Sequence, residues 1–101
     1  MIPVGFTMPE IVFQRAMKVI EKPLRLTKKN VELLRLICQG YSNQEMADVL
    51  STHRQSVDTR TYKLRMKMFV PAGGHQKDKI INYVWSIAWN ANESAITRRN
   101  N

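Results

Sequence analysis

Residues 40–45, Gly-Tyr-Ser-Asn-Gln-Glu, end one helix and begin another within six positions, and this punctuation restricts the fold more tightly than any other stretch. Gly40 supplies the left-handed stop that helix C-termini favour. Ser42, followed by Glu45, has the form of a capping box, in which each side chain satisfies a backbone N–H at a helix start. The chain is thereby committed to short, separate helices.

The other helices are punctuated in related ways. Thr7-Met8-Pro9-Glu10 is a further capping box, with Thr7 as N-cap and Pro9 in the first turn, and predicts a helix to about Lys22 before Pro23. Phe13, Met17 and Ile20 share one face of it, beside Val12 and Ala16. Thr27 caps the next helix, where Val31, Leu34, Ile37 and Cys38 recur at helical spacing up to Gly40. The Ser42 box starts a short helix that turns Met46, Ala47 and Leu50 inward and ends at Ser51-Thr52-His53. From about Arg54 to Phe69, Val57, Thr61, Leu64 and Met68 fall at steps of four, three and four, one narrow buried stripe. Pro71-Ala72-Gly73-Gly74 breaks the chain again. A last helix from about Gln76 carries Ile80, Ile81, Val84, Trp85, Ala88 and Trp89, and the polar tail, residues 91–101, is expected to fray. With no alternating run that reads as a strand, the expected class is all-α with five helices.

At 101 residues and 44% hydrophobic, the chain is sized for one compact domain. Sixteen Lys and Arg against eight Asp and Glu leave a net charge of +8, which points to an anionic partner, nucleic acid or an acidic membrane surface. The first helix offsets Arg15, Lys18 and Lys22 with Glu10 and Glu21, which disfavours the membrane. The first ten residues carry no secretory pattern and no apolar run is long enough to span a bilayer, so a cytoplasmic protein is expected. Lone Cys38 reads as a buried core residue. His53, His75 and Cys38 have no metal-ligand spacing, and no catalytic set or phosphate loop is visible, so neither cofactor nor catalysis is expected.

Two short helices joined by a tight turn, the second basic, have the form of a helix-turn-helix. Leu26 to Val70 resembles the LuxR-type DNA-binding domain. The resemblance rests on Leu26-Thr27, Leu34, Leu36-Ile37, Gly40, Ser42-Asn43-Gln44-Glu45-Met46-Ala47, Leu50, Ser56-Val57, Leu64, Lys67-Met68 and Val70. It implies a four-helix unit, here with an additional N-terminal helix and an extended C-terminal one, and a recognition helix at about 54–69. It also implies a dimer contact through the last helix, and sequence-specific binding to promoter or operator DNA. The corresponding divisions are 1–24, N-terminal helix and linker; 25–70, helix-turn-helix core; 71–90, linker and dimerisation helix; and 91–101, tail. No receiver or ligand-binding domain is expected ahead of Leu24.

Carried onto this sequence, the base-reading positions implied by the resemblance are Asp58, Thr59 and Tyr62. The helical wheel adds Gln55, since with Val57 toward the core a step of about 100° puts Gln55, Thr59, Tyr62 and Met66 opposite, with Asp58 and Lys63 on the shoulders. Arg54, Ser56, Arg60, Lys63, Arg65 and Lys67 make up the expected phosphate set. The chain departs from the family pattern at Asn30, Asp58 and Arg60, and at His53, where Thr52 is an alternative cap.

Asp58 admits three readings. It pairs with Arg54 or Tyr62 one turn away, it accepts from cytosine N4 in the major groove, or it repels DNA altogether. Nine basic and four acidic residues from Arg25 to Lys67 argue against repulsion, so Asp58 is expected to alter base preference. Ile81, Trp85 and Trp89 are the expected dimer contact, and the first helix is expected to support the domain or extend that contact. RNA polymerase or another regulator is a further possible partner. The competing class is a protein-interaction module, a heterodimer partner or anti-activator with little specific DNA binding of its own.

Overall fold

The computed structural model describes residues 7–70 and 75–100, the stretch 91–100 as backbone alone. The break expected at Pro71–Gly74 lies outside the described residues. Among the described residues the protein is all-α, with five helices and no strand: α1 Glu10–Ile20, α2 Lys28–Cys38, α3 Asn43–Val49, α4 Arg54–Lys67 and α5 Gln76–Asn100.

Of the two expected capping boxes the one at Ser42 forms, and Thr27, expected as a simple cap, forms a box as well. Thr27 Oγ1 accepts from the Asn30 N–H at 3.1 Å while Asn30 Oδ1 accepts from the Thr27 N–H at 3.0 Å. Ser42 and Glu45 make the same reciprocal pair at 3.1 and 2.9 Å. The Ser42 backbone N–H, followed by its side chain, holds the Glu45 carboxyl below the usual carboxylate range. The box expected at Thr7 does not form. Pro9 disfavours helical geometry in Met8, so the helix begins only after the proline, with Pro9 itself at the N-cap. Met8 turns inward instead, its N–H donating to the Cys38 carbonyl at 3.3 Å. Glu10, released from capping, accepts from Gln14 Nε2 at 2.8 Å and pairs with Arg35 across to α2 at 2.9 Å.

Four chain reversals close in one geometry. After α1, α2, α3 and α4 a residue in the left-handed region is followed by an N–H that reaches back five residues, as Leu26 does to Glu21, Tyr41 to Leu36, Thr52 to Ala47 and Val70 to Arg65. The left-handed residues are Arg25, Gly40, Ser51 and Phe69. Three of them are not glycine, and each stores conformational strain of roughly 1–2 kcal/mol.

The core is one cluster. α1 packs against α5, α3 against α4, and α2 meets both α4 and α5. Phe13, Leu34, Ile37, Met46, Val57, Leu64, Met68, Ile80 and Val84 fill its centre. The thiol of Cys38 is buried with them, and desolvation pushes its pKa up to about 12. The α5 backbone stays helical through Asn100, beyond the point where a fraying tail is expected. No glycine or proline occurs from Gln76 to Asn100, so nothing in the sequence stops it.

Candidate nucleic-acid interface

The turn between α3 and α4 is set by local backbone geometry. Leu50 caps α3, Ser51 takes φ +52°, and the Ser51 and Thr52 N–H groups donate back to Asp48 and Ala47. His53 is the N-cap of α4 through its extended backbone, with no side-chain cap bond, so Thr52 does not serve as the cap. α4 ends at Lys67, two residues short of expectation, because Phe69 has left the helical region. The inward stripe Val57, Thr61, Leu64 and Met68 is buried as the spacing requires.

On the far side of α4 the side chains face solvent. His53, Gln55, Ser56, Thr59, Arg60 and Lys63 line a shallow depression of about 420 Å³. Arg54 is exposed at its N-terminal end, and Tyr62 and Met66 are exposed toward its C-terminus. The Thr59 hydroxyl donates to the Gln55 carbonyl at 3.1 Å. The structure thus brings together four of the expected phosphate residues, Arg54, Ser56, Arg60 and Lys63, with three of the expected base readers, Gln55, Thr59 and Tyr62.

Three charged residues of the same helix are directed elsewhere. Arg65, expected among the phosphate contacts, is only 5% exposed. Its Nη1 donates to the Val70 carbonyl at 2.9 Å and its guanidinium lies 5.0 Å from the centre of the Tyr62 ring, so it holds the end of α4 rather than facing outward. Lys67 Nζ donates to Asn30 Oδ1 at 3.1 Å, joining the end of α4 to the start of α2. Asp58 accepts a hydrogen bond from Asn43 Nδ2 at the start of α3. It lines a cleft of about 330 Å³ with Asn43, Thr61 and residues 75–78. Asp58 therefore has an internal partner, though neither Arg54 nor Tyr62. Asn43 lies fifteen residues away, and no local pattern in the sequence signals the pair.

Of the residues expected at a subunit contact, Ile81 and Trp85 are half-buried against the core and Trp89 is 66% exposed. The sequence gives no notice of Phe69, which is 81% exposed in a left-handed conformation. Among the described residues no group of three His, Cys, Asp or Glu side chains is placed to hold a metal ion, and no helix is long and apolar enough to cross a membrane.

In comparisons with known proteins, no family model matches this chain, and neither a curated protein nor a solved structure does.

Proposed function

We propose that this protein is a sequence-specific DNA-binding transcription regulator of the LuxR type, acting as a homodimer with α4 in the major groove. The observation that carries this reading is the sorting of charge on α4. Its acid, Asp58, is exposed but has one carboxylate oxygen engaged by Asn43, and Arg54, Arg60 and Lys63 are exposed around an open face. α3 packs against α4 after a turn of a few residues, as a helix-turn-helix requires. Phosphate contacts from the exposed cations position α4, and Gln55, Thr59 and Tyr62 meet base edges. Dimerisation through α5 uses Trp89 with Ile81 and Trp85 and sets two half-sites roughly one helical turn apart.

A second reading, an interaction module for a larger regulator, draws on Phe69, an apolar side chain held out in a strained conformation. Selection of duplexes from a random library by the purified chain, at physiological salt with excess competitor DNA, separates the two. The DNA reading expects enrichment of a two-fold symmetric motif. Binding without enrichment, lost steeply as salt rises, would leave only phosphate attraction and favour the interaction module. Trp89→Ala should shift sedimentation toward the monomer, and an unchanged oligomeric state removes α5 from the dimer contact.

A further inference from the structure

Thr59, Tyr62 and Met66 follow one another at steps of three and four along α4 and so share a single outward stripe. Tyr62 and Met66 are exposed despite their apolar surface. Thr59 is exposed as well, and its hydroxyl proton is committed to the Gln55 carbonyl, which leaves the methyl and an acceptor oxygen uncommitted. Arg65, stacked on the Tyr62 ring, restrains that ring from one side. The middle of the outward face is therefore largely apolar, and Arg54, Arg60 and Lys63 frame it. Asp58, whose carboxylate would accept from cytosine, is exposed but has one of its two oxygens engaged by Asn43.

In the major groove every base edge carries hydrogen-bonding atoms, the O4 acceptor of thymine included, but thymine alone adds an apolar group, its C5 methyl. An apolar stripe leaves such atoms without partners on any base, and only thymine offsets that cost with a methyl contact. We infer that α4 selects thymine through its methyl group, with the Thr59 methyl and the Tyr62 ring forming the contact and Met66 extending it. The framing cations supply the charge complementarity that commits the stripe to DNA: an apolar patch flanked by exposed Arg and Lys suits a methyl-lined groove between two rows of phosphates. This inference rests on the DNA-binding reading above and adds what that reading leaves open, the base that is read and the group that reads it.

The test uses the full chain and the duplex it enriches from a random library. Each dT is replaced singly by deoxyuridine, which removes the methyl and leaves the hydrogen-bonding edge intact. Affinity should fall about fourfold at one or more positions in each half-site, the transfer value of one buried methyl. In Thr59→Ser, which retains the hydroxyl and lacks the methyl, the penalty at one such position should disappear while the thermal midpoint stays close to that of the parent. A uracil penalty that survives unchanged in a folded Thr59→Ser removes Thr59 from the contact. An enriched duplex that tolerates deoxyuridine everywhere overturns the thymine assignment, leaves the DNA reading standing and gives the stripe to a protein partner. No enriched duplex overturns the DNA reading and this inference with it.

Discussion

The charged residues of α4 fall into two sets that are put to opposite uses. In one set Asp58, Arg65 and Lys67 are drawn to Asn43, the Val70 carbonyl and Asn30, and tie α4 to α3, to its own C-terminal turn and to α2. In the other set Arg54, Arg60 and Lys63 are exposed, the last two lining a shallow depression. Charge on a helix is thus no guide to an interface until the neighbouring elements have taken what they need. What remains exposed is a much smaller set than the sequence offers.

Substitutions in the two sets should differ in kind. Arg65→Ala should cost the most stability, about 2 kcal/mol in urea unfolding, because it leaves the buried Val70 carbonyl without its donor and strips the stem from beside Tyr62. A loss below a few tenths would place Arg65 in the second set. Asp58→Ala should cost about 1 kcal/mol through the lost Asn43 bond, and the motif enriched in duplex selection should not change. A changed base at one position in each half-site would return Asp58 to the reading surface.

Phe69→Gly should act in the opposite direction. It relieves a left-handed conformation at a residue with almost no packing to lose, for a net gain of about 0.5–1 kcal/mol after the added flexibility of the unfolded chain. Destabilisation there would show that Phe69 packs in solution. Arg60→Ala and Lys63→Ala should have the smallest effect on stability, within about 0.5 kcal/mol of the parent. Each should nonetheless weaken binding evenly across sequences and make the salt dependence shallower by about one unit. A thermal midpoint lowered as much as in Arg65→Ala would erase the contrast between the two sets.

Some of this was readable in advance. Thr27 and Ser42 lie three residues from their box partners, so their caps follow from spacing alone, and the same holds for the inward stripe of α4. The box expected at Thr7 fails because the restraint Pro9 places on Met8 outweighs the capping pattern. Arg25, Ser51 and Phe69 were not readable, since a left-handed position is announced by glycine and these reversals use other residues. The length of α5 is not announced by its polar tail, since polarity does not stop a helix and no glycine or proline is there to do so.

Helix number, two of the helix starts and the buried side of α4 belong to the sequence itself, because each depends on residues within a turn or two of one another. The identity of the outward charges depends on pairs separated by 15 positions, Asn43 with Asp58, and by 37, Asn30 with Lys67. Such pairs exist only once α2, α3 and α4 have packed, and packing is driven by apolar burial, which is blind to where the charges fall. The tertiary arrangement therefore selects, from five cations along one helix, the few left to meet a partner.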